Sequence, residues 1–268
     1  MPELPEVQTV VDTLRPKVRG KRVTSVRLNR TDIVQPSGFD LVAQLNDKII
    51  EDVTRRGKKI VFRLNDDQQF YIHLGMTGRL TAETTSAALR PHTHLVLKVA
   101  DLEVRFSDPR RFGGVFWLGH NASADDRMGP EPLTTRPQQL AKRLAKTTRA
   151  IKNALLDQSL IAGLGNIYVD ESLFRAGIHP LVPADQLTSD EIARLNRAIK
   201  TTLRRAIRHR GSTLRDYMDA NGNAGAFQKL HAVYDRAGRK CRRCGSPIER
   251  IVVGGRSTHF CPHCQRKR

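Results

Sequence analysis

The chain has 268 residues, enough for one large domain or two modest ones, with 46 Lys and Arg against 27 Asp and Glu, a formal net charge of +19. That excess predicts a polyanionic partner, most simply nucleic acid, because phosphates release counterions when basic side chains approach. An anionic membrane surface is disfavoured, since the sequence has no long apolar run and no dominant basic amphipathic helix. The opening residues lack the basic and apolar regions of a secretory signal, so we expect no disulfides.

The first predicted element is a helix, because apolar residues recur at helical spacing over 7–18 and Pro5 lies near its start. Loss of Met1 would leave Pro2 with a free secondary amine, and a free α-amino group has a pKa of about 8. Such an amine attacks carbonyl-type carbons to form a Schiff base, and the carboxyl group of Glu3 could move protons beside it. Taken alone, this pair is more often an ordinary chain start than a catalytic centre.

Short runs of alternating apolar and polar residues follow, as is typical of strands in a β-sandwich or barrel. They cover 23–28, 49–55, 59–64, 69–74, 94–100, 102–107 and 114–118. Helical spacing then predicts helices over 140–145, 151–158, 167–176 and 189–209. The expected division is a β-rich domain over 1–120, a hinge rich in Pro, Gly and polar residues over 121–137, a helical domain over 138–230 and a basic cysteine module over 231–268.

The cysteines of the last module have the spacing of a four-cysteine zinc site; they are Cys241, Cys244, Cys261 and Cys264. Each Cys-x-x-Cys pair forms a tight knuckle, and two knuckles supply a tetrahedral set of thiolates. The alternatives, two disulfides or a redox dithiol, are disfavoured by the lack of a secretory signal. Four thiolates leave no vacancy, so we predict one structural Zn²⁺ and interpret His259 and His263 as surface residues.

Four other segments each allow a functional and an ordinary interpretation. Asn166 ends a Gly-Leu-Gly-Asn stretch, which is either an ordinary turn and N-cap or a phosphate site at a helix start. Lys58 belongs to a basic turn that is ordinarily solvated, although its side chain could point inward. Phe112 follows two arginines in a turn with the composition of a base-extruding wedge, yet by itself it favours a core position. Arg256 follows two glycines at a predicted hairpin tip, where it could reach a phosphate or simply be solvated.

Together and in this order, several segments resemble the formamidopyrimidine-DNA glycosylase family of bacterial base-excision enzymes. They are 1–7, 56–58, 73–76, 108–113, 163–168 and the four-cysteine module. The resemblance covers essentially the whole chain and implies an α+β fold. An N-terminal β-sandwich with flanking helices would precede a helix–two-turn–helix domain and a zinc ribbon, with DNA in the cleft between them. It also implies a bifunctional enzyme that excises oxidised purines and then cleaves the abasic site.

The resemblance implies roles for individual residues of this sequence. The implied catalytic residues are the nucleophile Pro2, the general acid–base Glu3, the phosphate-binding Lys58 and the supporting Glu6. Those implied to fill the gap left by a flipped nucleotide are Met76, Arg110 and Phe112. Those implied to contact DNA phosphates are His73, Asn166, Arg256 and, by a looser similarity, Lys152. Residues 217–226, which have the composition of a mobile loop, would close over the damaged base, and Gln8 departs from the glutamate of many relatives.

Two rival functions remain at this stage. One is the activity of the sister enzyme, endonuclease VIII, on oxidised pyrimidines, although Leu4 stands where that enzyme normally has glycine. The other is a non-catalytic zinc-ribbon DNA-binding protein, which would have no need of the intact catalytic set. We expect damaged double-stranded DNA as partner, a monomer, no small-molecule cofactor and a cytoplasmic, nucleoid-associated location in a bacterium.

Overall fold

The computed structural model describes residues 1–120, 123–125 and 127–267. Residues 121, 122 and 126 of the predicted hinge and residue 268 of the predicted cysteine module lie outside this description. The chain divides into two compact units: a sheet unit of 1–126 and 209–226, and a helical unit of 127–208 and 227–268. Residues 209–226 therefore pack with the sheet unit, whereas the predicted boundaries place them in the helical domain.

The sheet unit contains β1 (Lys21–Leu28), β2 (Val34–Gln35), β3 (Ile49–Arg56), β4 (Lys59–Leu64), β5 (Gln69–His73), β6 (Arg79–Thr84), β7 (Thr93–Val99), β8 (Leu102–Ser107) and β9 (Gly114–Gly119). Their order is β2-β9-β5-β4-β3-β1-β7-β8-β6, and only the β2–β9 pair is parallel. Every predicted strand is confirmed to within two residues. The prediction omits β2, which has only two residues, and β6.

β1 belongs to both halves of this sheet and joins them into a sandwich. Its first two residues pair with β3, and the stretch from Val23 to Leu28 pairs with β7. Phe62 from one half, Phe106 from the other and Leu14 from the first helix are all fully buried. Both halves share a single apolar core with that helix, which confirms the expected β-sandwich with flanking helices.

Two helices flank the sandwich, α1 (Leu4–Val18) and α2 (Leu41–Leu45). The residues of α1 that recur at helical spacing are the ones it buries, including Val7, Val10 and Leu14. Pro5 lies in the first turn, where its missing N–H leaves no intrahelical hydrogen bond unmade. The helix therefore fixes the N-terminal residues to the sandwich core.

The helical unit contains α3 (Pro137–Leu144), α4 (Ile151–Leu156), α5 (Asn166–Ala176), α6 (Ser189–Arg208) and the hairpin β10 (Glu249–Val253) and β11 (Arg256–Phe260). All four predicted helices and the predicted hairpin tip are confirmed. The tip is a two-residue turn, Gly254 and Gly255, whose φ angles of 55° and 73° are both positive and favour glycine. Among the described helices, none has the length and apolar composition needed to cross a bilayer.

A row of aromatic rings in the helical unit surrounds His231. Its imidazole contacts the rings of Phe227 and Tyr234 edge-on, with centroids 5.6 and 5.5 Å apart. His231 is only 3% exposed, and burial lowers its pKa from 6.5 to about 4. The folded protein therefore holds this imidazole neutral, whereas the unfolded chain protonates it below pH 6.5.

We predict that His231→Phe reduces the acid sensitivity of the fold. The contribution of a neutral His231 is complete above pH 6.5 and is lost as the pH falls towards about 4. Between about pH 7.5 and about pH 5, the wild type should lose about 2 kcal/mol of unfolding free energy more than the variant does. Urea unfolding of both proteins at the two pH values measures this difference. Equal losses would contradict a lowered histidine pKa.

Candidate functional site

The N-terminal residues are held at the start of α1. Pro2 is buried and Glu3 is 3% exposed, whereas Met1 is 52% exposed. The carboxylate of Glu6, itself 2% exposed, accepts a hydrogen bond from the Glu3 backbone N–H at 2.8 Å. This is the reciprocal contact of a capping box, in which the third helical residue satisfies the N-cap amide. The hydrogen bond from Glu6 holds the Glu3 backbone N–H, and α1 begins at the next residue, so the backbone that carries the Glu3 carboxyl group is fixed.

Glu6 also binds a segment that the sequence analysis does not connect with it. Its second carboxylate oxygen accepts the Ser212 N–H at 2.7 Å, and its carbonyl oxygen accepts the Tyr217 hydroxyl at 3.2 Å. Burial, and then the charge of Glu6, raises the pKa of Tyr217, which keeps the phenol a donor. Gly211 has a φ of 73°, and a Cβ there would run into the Glu6 side chain. Residues 211–217 are therefore built against the N-terminus.

The predicted loop 217–226 is tied to the sheet unit by backbone contacts. The Ala220 N–H donates to the Thr13 hydroxyl of α1 at 3.1 Å, and the Ala220 carbonyl accepts the Ala82 N–H of β6 at 2.8 Å. Asp219 accepts the N–H groups of Asn221 and Asn223, both at 2.9 Å. This internal bonding shapes the loop as a series of turns.

Lys58 and His73 lie close enough to influence each other. Lys58 is 8% exposed, so its inward-pointing interpretation is confirmed. Burial, and then the charges of Lys58 and Lys59, lowers the pKa of His73. The neutral imidazole accepts the Gly75 N–H on Nδ1 at 3.1 Å. Its proton is therefore on Nε2, which leaves that nitrogen as the donor.

Met76, Arg110 and Phe112 are exposed large side chains on two loops of the sheet unit. Met76 is 45% and Phe112 57% exposed, and the Arg110 guanidinium lies 4.6 Å from the centre of the Phe112 ring. The ordinary interpretation of Phe112 as a core residue is therefore wrong. Backbone hydrogen bonding, rather than apolar burial, determines the path of its loop.

Asp108 organises that loop, and the sequence analysis gives it no role. Its fully buried carboxylate accepts the Gly113 N–H at 2.8 Å and the Thr77 hydroxyl at 2.5 Å. A Cβ at Gly75 or Gly113 would run into the backbone of the opposing loop. Two backbones in direct contact thus support the exposed side chains. An Asp-Pro turn followed by paired glycines is the sequence signal for this packing.

Lys152 and Asn166 meet in a buried network of the helical unit. Lys152 is fully buried, and its ammonium group donates to the carboxylate of Asp170 and, at 2.6 Å, to Oδ1 of Asn166. Asn166 is the first residue of α5, and Gly165 is the N-cap. The expectation that Asn166 caps the helix is therefore wrong, because its side chain is held by Lys152 instead.

The hairpin tip that carries Arg256 is attached to this network. The Asn166 amide donates to the Ser257 carbonyl at 2.8 Å. A Cβ at Gly254 would run into the side chain of Asn153 in α4, so the tip fits closely against that helix. Arg256 is exposed at the first position of β11. Asn166 and Arg256 are thus brought to neighbouring parts of one surface.

The four cysteines form the predicted metal set. Their sulfur atoms all lie within 4.8 Å of one another, with Cys244 and Cys261 at 3.4 Å and Cys241 and Cys264 at 4.0 Å. A tetrahedral zinc–thiolate site, with Zn–S bonds of about 2.3 Å, requires sulfurs about 3.8 Å apart. Without a metal, burial raises the pKa of Cys264 to about 12. A cation is therefore needed to ionise the whole set, and the residues fit one structural Zn²⁺.

The two histidines near this set differ. His263 is exposed, as expected. His259 is 6% exposed, so its interpretation as a surface residue is wrong. Its backbone N–H donates to Asp170 at 2.9 Å, because β11 passes directly over α5.

Comparison with known proteins covers almost the whole chain. Family models match in order: the formamidopyrimidine-DNA glycosylase N-terminal domain at residues 1–115, the H2TH domain of the same family at 128–218, and a zinc finger found in FPG and IleRS at 238–266. A formamidopyrimidine-DNA glycosylase of Geobacillus kaustophilus is 45% identical, over 99% of this chain and 100% of the relative.

Solved structures agree with the sequence relatives. A complex of Lactococcus lactis Fpg with DNA containing an abasic site has a TM-score of 0.91, at 38% identity over 99% of this chain and 100% of that one. A complex of MutM with DNA containing carbocyclic 8-oxo-G has the same TM-score, identity and coverage. The sandwich, the helical unit and the cysteine ribbon thus define a DNA repair enzyme of the H2TH and zinc-finger class. Within that class, the chain belongs to the formamidopyrimidine-DNA glycosylase family.

We predict that removal of zinc unfolds the ribbon selectively. Metal binding contributes on the order of 10 kcal/mol to the folding of such sites, and the ribbon's remaining core is small. A chelator should therefore raise amide hydrogen exchange over 238–266 while the sheet unit stays protected. Metal analysis should give one zinc per chain beforehand, and Cys261→Ser should reproduce the exchange pattern. Unchanged protection after complete zinc loss would contradict a structural metal.

Proposed function

We propose that this protein is a bifunctional DNA glycosylase and abasic-site lyase that removes oxidised purines, such as 8-oxoguanine and formamidopyrimidines, from duplex DNA in base excision repair. The observation that carries the proposal is the buried N-terminal segment, where Glu6 fixes the backbone of Glu3 next to Pro2. Family membership and the DNA complexes of its relatives support the same activity.

The reaction begins with the secondary amine that Pro2 presents once Met1 is removed. Met1 is exposed and therefore accessible to an aminopeptidase. The nitrogen lone pair attacks C1′ of the damaged nucleotide, the glycosidic bond breaks, and the base leaves with the bonding electrons and takes up the proton that the amine nitrogen loses. Glu3 protonates the ring oxygen as the sugar opens, which yields an iminium ion between Pro2 and C1′.

The same iminium explains the lyase activity. Its positive charge acidifies the C2′ proton, so a base removes that proton and the 3′ phosphate leaves by β-elimination. A second elimination expels the 5′ phosphate, and water then hydrolyses the iminium and returns the free amine. Glu3 is the proposed proton carrier, and Lys58, buried just before β4 in the chain, is proposed to hold a phosphate and assist.

Phosphate contacts are proposed for residues in each unit. In the sheet unit, the Nε2–H of neutral His73 is directed by the bond that Gly75 makes to Nδ1. In the helical unit, Asn166 and the exposed Arg256 are joined through the hairpin backbone. These groups fix the DNA backbone without reading sequence.

Lys152 receives a different proposal from the direct phosphate contact that the resemblance implies. Its ammonium group is fully buried and bonded to Asn166 and Asp170. We therefore assign it a positioning role: it orients the Asn166 side chain at the start of α5. Its positive charge also offsets the buried carboxylate of Asp170.

The exposed residues Met76, Arg110 and Phe112 are proposed to fill the space left when the damaged nucleotide leaves the stack. Unstacking a nucleotide costs a few kcal/mol, which inserted side chains offset. Loop 217–226 is proposed to cover the extruded base, because its attachment to α1 places it in the same unit as the nucleophile.

The rival activity on oxidised pyrimidines is disfavoured by two features. Leu4 is fully buried at the start of α1, where the sister enzyme normally has glycine. The loop around residue 220 is long and contains glycine. The protein is further proposed to act as a monomer on chromosomal DNA in the bacterial cytoplasm.

We predict that Pro2→Gly abolishes most base release while DNA binding remains. The variant loses the fixed ring geometry and the secondary amine, so its iminium would no longer be permanently charged. Borohydride trapping on a duplex with 8-oxoguanine opposite cytosine should give a crosslink with the wild type and with the control Lys17→Ala, but at least about 100-fold less with Pro2→Gly. Intact-mass spectrometry of each protein should first show that Met1 has been removed.

The outcome of this experiment separates the rival functions. Stronger crosslinking to a matched oxidised-pyrimidine duplex would keep the amine mechanism and reassign the substrate. Binding without any crosslink to either duplex would leave only the non-catalytic interpretation.

We predict that Phe112→Ala slows base excision from duplex DNA about ten- to a hundredfold, because extrusion loses the inserted ring. Cleavage at a preformed abasic site in single-stranded DNA should be unaffected, since no base has to be extruded there. Leu89→Ala, which removes a similarly exposed apolar side chain (44%) from the same unit, is the control. Single-turnover rates on both substrates provide the test, and equal losses on the two substrates would contradict the gap-filling role.

A further inference from the structure

A cavity of about 320 Å³ lies in the helical unit, and none of the residues proposed to act on DNA lines it. It is bordered by α5, α6, the segment after residue 227 and the first cysteine knuckle. Its basic lining residues are Arg175, Arg205, Arg242 and Arg243. Arg175 follows Asn166 by nine positions on α5, roughly 13 Å along the helix axis. The cavity is therefore separate from the proposed phosphate contact at the start of that helix.

The positive charge at this cavity exceeds the negative charge, since four arginines and one glutamate line it. Within the described part of the chain, none of the four guanidinium groups forms an ion pair. Burial, and then the charge of Arg205, lowers the pKa of Arg175, and Arg243 adds to the repulsion. Crowding of this kind is relieved when an anion binds.

The acidic lining residue is already engaged. Glu171 is 5% exposed, and its carboxyl oxygens accept the N–H groups of Ala232, Val233 and Tyr234, each at 2.9 Å. These bonds direct the carboxyl group towards the backbone. Burial raises the pKa of Glu171, which favours its uncharged form and so weakens its electrostatic repulsion of an anion.

An independent observation points to a ligand. Thr202 lines the cavity and is 2% exposed, yet its hydroxyl oxygen has no hydrogen-bond partner among the described residues. A buried hydroxyl without a partner costs about 1–3 kcal/mol. The oxygen itself is closed to solvent in this structure, so an anion in the cavity recovers that cost by drawing the Thr202 side chain round to donate to it. The hydroxyl can donate one hydrogen bond to an anionic oxygen.

We propose that this cavity is a second anion site, which binds a phosphoryl group through Arg175, Arg205 and the Thr202 hydroxyl. The guanidinium groups of Arg242 and Arg243 close the side formed by the cysteine knuckle. The phosphoryl group belongs either to DNA beyond the lesion or to a free phosphate. In both cases the bound anion connects α5 and α6 to the zinc ribbon.

The test uses the full-length, zinc-loaded protein and two double variants that remove the same charge. Arg175→Ala/Arg205→Ala takes two guanidinium groups from the cavity, whereas Arg197→Ala/Arg204→Ala takes two exposed ones from α6 outside it. Inorganic phosphate, compared with chloride at equal ionic strength, should raise the Tm of the wild type and of the α6 control. The cavity variant should bind phosphate at least about tenfold more weakly by calorimetry.

Thr202→Val isolates the hydroxyl from the charge. Because the buried hydroxyl has no partner, its replacement should leave the Tm in chloride unchanged or higher. Phosphate binding should still weaken several-fold. Wild-type phosphate affinity in Thr202→Val would remove the hydroxyl from the site.

Duplex binding at several salt concentrations identifies the source of the phosphate. A DNA phosphate would make the salt slope of the cavity variant shallower than that of the α6 control, by about 0.9 for each DNA phosphate that the variant no longer binds. Equal slopes, combined with a weaker response of the cavity variant to inorganic phosphate, would assign a free phosphate. Equal slopes together with equal phosphate responses would overturn the proposal, and the proposed glycosylase activity would be untouched.

Discussion

A nucleophile at the end of a chain must be held still, although chain ends are where proteins usually fray. Here the constraint is met by Glu6. One carboxylate oxygen takes the Glu3 N–H, and the other takes the Ser212 N–H from a segment 206 residues further along the chain. Because α1 is buried along one face, these bonds are made on a rigid support. The proposed chemistry, which needs an amine and a carboxyl group at fixed geometry, depends on this arrangement.

A buried carboxylate also fixes the loops that carry the exposed residues of the sheet unit. Met76 and Phe112 are largely open to solvent, so burial cannot fix them. Asp108 and the close approach of Gly75 to Gly113 instead bring two loop backbones together. Main-chain hydrogen bonds make the two loops rigid. The exposed side chains can therefore be large and apolar without being needed to hold the loops in place. An inserted wedge that had to become ordered on binding would spend part of its contact energy on that ordering.

The sequence predicts this protein well where one local pattern dominates. Helical spacing identifies α1, alternation identifies most strands, and cysteine spacing identifies the zinc set. The sequence does not predict the position of a side chain whose partner comes from another element of the fold. Lys152 is buried because Asp170 meets it from the next helix, and Asn166 leaves the N-cap because Lys152 holds its side chain. The placement of Ser212 beside Glu6 is a tertiary event with no local signal. The chemistry of Pro2 and Glu3 is indicated by the residues themselves, whereas a role for Glu6 is indicated only by the family resemblance.

The sheet unit is discontinuous in sequence, and this has a consequence for its synthesis. A nascent chain that has reached residue 126 already contains every strand of the sandwich. It still lacks the Ser212 N–H for Glu6, the Tyr217 hydroxyl for the Glu6 carbonyl and the Ala220 carbonyl for β6. The ribosome must add all of α3 to α6 before those bonds can form. The N-terminal site, synthesised first, is therefore among the last parts of its own unit to be completed.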